Sequence, residues 1–535
     1  MFKGHPKGLI AAALSNMGER FGYYIMNAVL LLFLCSKFGI ADETAAIIYA
    51  VFYFAIYVLS LPGGIIADKL QNYKGTIQAG LLTMAAGYIV LSIPLMGFLE
   101  NPSSKIGILV LTCVALLVIA FGNGLFKGNL QALVGQMYDN LEAEAAKKGP
   151  EALADAKSKR DPGFQIFYVF INIGGVLAPF VAPSLRSWWL GLKGMTYNAD
   201  LPALCHQYLA DPTAMTAEQL NNLNTLMNSV NQGGLNLADM HQACMSYIEV
   251  FNTGVHYSFL ASVAAMLISL VIFLATKNGM PNPQKKAAAG ANADNTEKEY
   301  SAEERAAMAK DIKQRMAGLY AVLGVCVFFW MAFHQNGQSL SLFARNFINS
   351  DQVAPEVWQF LNPALVILLT PVIMWLFGTN WGRKFSTPRK IALGMGFVVC
   401  AYLFLTLLCY AIGYPNGTDY LAQDVATRLP KSGAWVLIVT YFFLTVAELF
   451  ISPLGLSFVS KIAPKHIQGI CQGLWLSATA IGNLLIMVGP FLFNKMPKLW
   501  VCWLIFMIIA LAAMCVMFGM LKWLEKITAE QPAAK

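Results

Sequence analysis

Asn16-Met17-Gly18-Glu19-Arg20-Phe21-Gly22-Tyr23-Tyr24 sets an acid beside a base midway through an apolar run from Leu9 to Leu34. A run of that length crosses a bilayer as a helix, which takes about 20 mostly apolar residues. Ionisable groups at membrane depth are costly, so they face a water-filled cavity and mark the path of a solute or ion. On a helix, Asn16, Arg20, Tyr23 and Asn27 fall on one face, and Glu19 flanks it. That polar stripe predicts a membrane protein with an internal cavity.

The rest of the chain extends the same reading. Of its 535 residues, 57% are hydrophobic and 12% charged, where a soluble globular protein carries about 25% charged residues. Apolar stretches at 9–34, 44–66, 76–98, 106–136, 164–184, 256–276, 317–343, 356–377, 391–412, 434–458, 468–494 and 500–523 are each long enough to span. A helix closes its own backbone hydrogen bonds in lipid, so the expected class is an all-α membrane protein with twelve transmembrane helices. The first stretch has no convincing cleavage site, so it is read as retained and not as a removed signal peptide. Net charge is +8. With the N-terminus inside, most of the 37 Lys and Arg residues fall on the cytoplasmic side. This bias sets the orientation, with both termini cytoplasmic. It accounts for the basic balance without a nucleic-acid partner.

Two halves of six spans, 1–276 and 316–525, flank a polar linker at 277–315, and a short tail covers 526–535. The linker begins with a flexible stretch from Pro281 to Glu297. It continues into a surface helix for which Ser301 is a candidate N-cap. Leu61-Pro62-Gly63-Gly64-Ile65-Ile66-Ala67-Asp68-Lys69 in the first half is echoed by Thr370-Pro371 and Gly378-Thr379-Asn380-Trp381-Gly382-Arg383-Lys384 in the second. Internal repetition of this kind marks secondary transporters, whose site lies between the halves near the bilayer midplane. A charged cytoplasmic insertion, 138–161, reads as helical, and an outer insertion, 186–255, carries short helices near 215–219 and 237–240. Eight of the ten cysteines lie in or beside spans and read as small packing residues. Cys205 and Cys244 lie in the outer insertion, where a disulfide persists in an oxidising compartment. Free thiols, or zinc ligands together with His206 and His241, are the alternatives that spacing leaves open.

Glu19-Arg20-Phe21-x-Tyr23-Tyr24 resembles the first-helix motif of the proton-dependent oligopeptide transporters, within the major facilitator superfamily. The resemblance recurs in order along both halves. It includes Gly63-Gly64-Ile65-Ile66-Ala67-Asp68-Lys69, Gly122-Asn123-Gly124-Leu125-Phe126-Lys127-Gly128-Asn129 and Phe167-Tyr168-Val169-Phe170-Ile171-Asn172-Ile173-Gly174. In the second half it includes Leu361-Asn362-Pro363, Ala447-Glu448-Leu449-Phe450-Ile451-Ser452-Pro453-Leu454-Gly455, Gly473-Leu474-Trp475 and Gly482-Asn483. The resemblance implies the major facilitator fold and a peptide cavity lined by Arg20, Tyr23, Tyr24, Tyr57, Lys127, Asn172, Asn362, Glu448, Ser452 and Trp475. Arg20 and Lys127 would face the peptide carboxylate, and Glu448 with Asn172 the amino end. Glu19, Arg20, Lys127 and Glu448 would couple protons, with Lys127 and Glu448 pairing between the halves. Bland readings stand beside these roles. Tyr23, Tyr24 and Trp475 can simply pack, Lys127 and Glu448 can form a structural pair, and Gly63-Gly64 can serve close packing. Asp68 belongs to a gate or to stability at the cytoplasmic boundary.

Three positions depart from the family pattern. Asn16 stands where a glutamate is usual, Asn27 where an arginine is usual, and His334 where helix 7 usually carries an acid. The missing arginine and acid would form an outer-side salt bridge, so losing both strands no buried charge. Asn27 and His334 are expected to meet by hydrogen bond and to act at the outer gate. Histidine titrates near neutral pH, so His334 is also a candidate proton carrier. The pair of extra helices that many bacterial relatives carry between helices 6 and 7 is absent.

The combined expectation is proton-coupled import of di- and tripeptides by a monomer in a bacterial inner membrane. Its partners would be small peptides, protons and the lipid bilayer. A short peptide is a zwitterion with constant ends and a variable side chain. Charges for the ends and amphipathic Tyr and Trp surfaces for the middle suit it. A transporter of another small solute and a non-transporting sensor are the alternatives. No metal-ligand cluster or nucleophile–base pair stands within the spans, so neither an enzyme nor a cofactor is expected.

Overall fold

Lipid offers no partner to a backbone amide, and the apolar runs accordingly close their hydrogen bonds along helices. In the computed structural model, twelve helices among the described residues are long and apolar enough to cross a membrane. The structure describes residues 4–70, 72–281, 302–349, 353–380, 382–424, 427–462 and 468–529. The first part of the chain forms α1 (Leu9–Phe38), α2 (Asp42–Val58) continued by α3 (Ser60–Leu70), α4 (Tyr73–Ser92) and α5 (Lys105–Ala146). Next come α6 (Pro150–Leu177) continued by α7 (Val181–Leu192), then α8 (Leu201–Ala210), α9 (Ala217–Val230) and α10 (Met240–Thr276). The second part forms α11 (Ala302–Phe333) continued by α12 (Ser339–Phe347), then α13 (Leu361–Gly378), α14 (Thr387–Ile412) and α15 (Gly417–Ala422). It ends with α16 (Trp435–Ile462), α17 (Gln468–Leu485) continued by α18 (Val488–Lys495), and α19 (Leu499–Ala529).

Helices pack mostly within their own part of the chain. In the first part, α1 lies on α10 and α6, α4 on α5 and α10, and α3 on α5. In the second, α14 lies on α19 and α16, α11 on α17 and α19, and α13 on α16. The two parts meet where α2 packs on α17 and α18, and where α6 packs on α13. Glycine sets the closest approaches. A Cβ at Gly80 on α4 would stand 2.7 Å from the Gly122 carbonyl oxygen on α5, and one at Gly63 on α3 would collide with the Gly124 carbonyl. Gly64 faces open space. Of the two motif glycines, Gly63 therefore serves packing.

The insertions differ in form from their expectation. The stretch 138–161 is helical as expected, but as the ends of two long helices: it prolongs α5 to Ala146 and starts α6 at Pro150. The turn between them uses Gly149 at φ +120°, a conformation open mainly to glycine. The outer stretch is shortened from both sides, because α7 runs to Leu192 and α10 starts at Met240. Thr216 and Gln219 form a capping box at the start of α9, and Asp239 caps α10. The helical signal near 237–240 thus marks the start of a span.

Cys205 and Cys244 are buried, mutually contacting free thiols where a disulfide is expected. Their helices are braced without the bond, because α8 packs on α10. The Tyr247 hydroxyl also donates to the Thr196 carbonyl at 3.1 Å. Burial pushes the Cys205 thiol well above the usual thiol range. His206 is held down to about 4 by burial, and its Nε2 donates to the Ser36 carbonyl at 2.8 Å. That contact takes it away from any zinc role, and no group of His, Cys, Asp or Glu among the described residues could hold a metal ion. The Asp68 side chain, Ser301, linker residues 282–301 and tail residues 530–535 lie outside the described residues.

Candidate substrate site

The charged motif of α1 is a closed unit. Arg20 holds Glu19 bidentately, Nε to Oε2 at 2.5 Å and Nη2 to Oε1 at 2.9 Å. Asn123 from α5 donates to the same Oε1 at 2.7 Å. Glu19 is 0% exposed, so its charge is balanced entirely by these neighbours. The Arg20 guanidinium lies 5.0 Å from the Tyr23 ring centroid. Tyr23 donates to Asn27 Oδ1 at 3.2 Å, and Tyr49 from α2 donates to the same oxygen at 2.9 Å.

A tyrosine ladder continues from there. Tyr49, Tyr53 and Tyr57 stand one turn apart on α2, each pair with ring centroids 5.8 Å apart. Lys127 from α5 lies over the Tyr57 ring, its Nζ 4.3 Å from the centroid. Such a face attracts a cation without neutralising it.

The second part supplies the acid. Asn362 on α13 donates to Glu448 Oε2 at 2.9 Å and to Thr445 Oγ1 at 3.1 Å, both on α16. Ser452 is half-buried one turn beyond Glu448. Trp475 on α17 is buried against the backbone of Gly455, so its ring packs. Asn172 on α6 donates to the Tyr168 carbonyl one turn earlier at 3.0 Å.

The halves meet around Tyr24. A Cβ at Gly175 would stand 3.1 Å from Pro363 Cβ and 3.3 Å from Tyr24 Cε2, so α6, α13 and α1 converge there. Tyr24 and Tyr57 each lie within electrostatic reach of both Arg20 and Glu448. The expected ion pair is not formed, however: among the described residues no salt bridge joins Lys127 to Glu448. Lys127 rests on Tyr57, and Glu448 is held by Asn362.

The expected Asn27–His334 hydrogen bond is also replaced. The two tyrosine hydroxyls occupy Asn27 Oδ1. His334 stacks on Trp330 at 5.0 Å and meets the edge of Tyr53 at 5.0 Å. Its Nδ1 is buried without a partner. Sequence reasoning passed over Asn123, Thr445 and the tyrosines at 49 and 53. The four-residue tyrosine spacing on α2 was a legible signal, whereas the Asn123 contact appears only once α5 crosses α1.

Away from this cluster, one half-buried and one buried ion pair tie the halves. Arg345 on α12 donates to Asp42 Oδ2 on α2 at 3.0 Å, and Arg186 on α7 donates to Glu356 Oε1 at 2.7 Å. In the orientation that the charge bias predicts, both would stand on the outer side.

Comparison with known proteins gives the same architecture. The peptide transporter YePEPT of Yersinia enterocolitica subsp. palearctica serotype O:3 is 27% identical over 503 residues, 90% of this chain and 87% of the relative. Dipeptide and tripeptide permease B of Salmonella typhimurium is 25% identical over 489 residues, 90% of this chain and 85% of the relative. A crystal structure of a peptide transporter POT mutant superposes with a TM-score of 0.68 at 22% identity, covering 98% of this chain and 96% of that one. A POT family transporter in complex with 5-aminolevulinic acid superposes with a TM-score of 0.67 at 18% identity, covering 99% and 98%. These neighbours have the major-facilitator-like fold. The sequence model described as POT family matches residues 74–293 and 282–501, and with Glu19–Arg20, Lys127 and Glu448 gathered around one tyrosine cluster, the chain belongs to the proton-dependent oligopeptide transporter family.

Proposed function

We propose that this protein imports di- and tripeptides together with protons by alternating access. The observation that carries the reading is the unmatched pair across the tyrosine cluster: Lys127 from one half and Glu448 from the other, neither held by an opposite charge. A zwitterion supplies both missing partners. Its carboxylate would meet Lys127, with Arg20 behind it, and its amine would meet Glu448, with Asn362 and Asn172 nearby. Tyr23, Tyr24 and Tyr57 would take the backbone and side chain, as amphipathic rings do. Ser452 and Trp475 would border the same space from α16 and α17.

Proton coupling follows from competition for one cation. A peptide carboxylate that draws Arg20 away takes from Glu19 the cation that holds it bidentately, and that competition would link substrate binding to the proton. The names of the relatives, peptide transporters and permeases, support the substrate class. The halves 1–276 and 316–525 are the moving bodies in this proposal, in a bacterial inner membrane with both termini inside. His334 is the further proton carrier, and Asp68 belongs to the cytoplasmic gate.

Reconstituted protein tests this directly. Uptake of a labelled dipeptide into proteoliposomes should require an inward-acid gradient from outside to in. It should be competed by dipeptides and tripeptides and not by sugars. A panel that includes single amino acids and 5-aminolevulinic acid separates peptides from other small zwitterions. Uptake that ignores the pH gradient overturns the coupling, and no uptake of any peptide overturns the substrate.

A further inference from the structure

We propose that the outer segment between α7 and α10 is a latch, which holds the outer face shut by clamping the loop between α14 and α16. The segment moves as one piece with the first half. Thr196 and Asn198 are tied to Tyr247 on α10, with the Asn198 amide donating to its hydroxyl at 2.9 Å. Asn198 Oδ1 accepts from the amides of Asp200 and Leu201 at 2.9 and 3.0 Å, which fixes the entry into α8. His206 on α8 is bound to the end of α1 through Ser36. Asp200 is thereby presented on a rigid mount.

The receiving loop belongs to the second half and is equally prepared. Arg428 donates from Nε to the Gln423 carbonyl at 3.0 Å and from Nη2 to the Leu421 carbonyl at 2.7 Å. Its remaining Nη1 reaches Asp200 Oδ2 at 3.4 Å. A second contact lands on the same loop, because Asn222 on α9 donates to the Gln423 carbonyl at 3.1 Å. Two helices of the segment therefore grip one loop of the opposite half. Beneath them lies a cavity of about 520 Å3, lined by Cys35, Asp42, Arg186, Arg345, Glu356 and Arg428 among others. If the halves part on the outer side, both contacts must break, because each joins one half to the other. A long ion pair and one hydrogen bond are weak enough to break in every cycle.

The latch rests on the transport reading for its place in a cycle, but its test does not use transport. Cys35 is the reporter. It lines the cavity, and its Sγ donates to Asp42 Oδ1 at 3.3 Å. Purified protein in lipid nanodiscs is treated with a bulky maleimide, and alkylation at each cysteine is followed by mass spectrometry. Asp200→Asn and Arg428→Gln should each speed labelling of Cys35 by about fivefold, the order of change that loss of one ion pair brings. The double variant should be no faster than the singles, as expected for two ends of one contact. Asn222→Ala should give a smaller rise, and the buried Cys326 should stay at its original rate in every variant. Unchanged Cys35 labelling in both single variants overturns the latch. So does a joint rise at Cys35 and Cys326, which is unfolding. A protein that labels as expected but takes up no peptide keeps the latch and loses only the transport reading.

Discussion

Lys127 on its tyrosine and Glu448 on its asparagine form the residue-scale core of the proposed mechanism. Lys127→Ala should abolish gradient-driven uptake while leaving the protein folded, because the lysine makes no salt bridge whose loss would strand an acid. Near-normal concentrative uptake by this variant rules out the carboxylate role. Glu19→Gln removes the charge but keeps an amide within reach of Arg20 and Asn123. It should lose uptake driven by a pH gradient and keep counterflow exchange of peptide; equal loss of both activities argues against a coupling role. His334→Asn should change the shape of the pH profile of initial uptake, because asparagine cannot take up a proton. A uniformly slower profile of unchanged shape leaves His334 as a packing residue between Trp330 and Tyr53. At this scale the sequence named most members of the cluster, because ionisable groups stand out in an apolar helix. What it did not give was their pairing. The bond expected between Asn27 and His334 went to two tyrosines, one of them a single turn away on the same helix and the other on α2, and both hydroxyls converge on one oxygen.

Helix existence and order were legible from apolar length alone, since lipid allows no other spanning backbone. The ends were not. Residues 138–146 lengthen α5 although their polarity reads as insertion, and 186–192 continue the span of α6 and α7. A helix already nucleated by a span propagates cheaply into polar sequence, until Gly149 or a cap such as Asp239 resets the chain. The neighbouring glycines at 63 and 64 give a sharp element-scale prediction. Gly63→Ala should destabilise the protein by roughly 1–3 kcal/mol, the usual cost of overpacking, because α3 and α5 must separate to admit the methyl group. Gly64→Ala meets nothing and should gain up to about 1 kcal/mol from helix propensity. Thermal unfolding in detergent ranks the two. Equal effects would show that the α3–α5 contact yields without cost.

Across the whole molecule, the two halves are held together by contacts that no local pattern announces. Asp42 and Arg345 are 303 positions apart, and Arg186 and Glu356 are 170 apart. The charge bias among the loops predicts which side each residue faces, but a partner from the other half is fixed only by how the halves dock. The Arg186–Glu356 pair is a case where burial decides the energetics. Both side chains are nearly inaccessible, at 3% and 1% exposure. The guanidinium also stacks on Tyr197 at 4.2 Å, while its Nε has no hydrogen-bond partner. Taking two charges out of water is costly, and their attraction offsets that cost only when every polar atom is satisfied. Removing one member therefore does more harm than removing both. Arg186→Leu or Glu356→Leu alone should each destabilise the outward-closed protein by about 3–5 kcal/mol, because each leaves a buried charge unpaired. The Arg186→Leu/Glu356→Leu double variant should recover most of that loss, since two leucines fill the space without a charge to desolvate. The check is a double-mutant cycle on melting temperature in detergent. A double variant as unstable as the sum of the singles would mean that the two residues act independently, and that the outer closure is carried by Asp42–Arg345 and the packing of α2 on α17 instead.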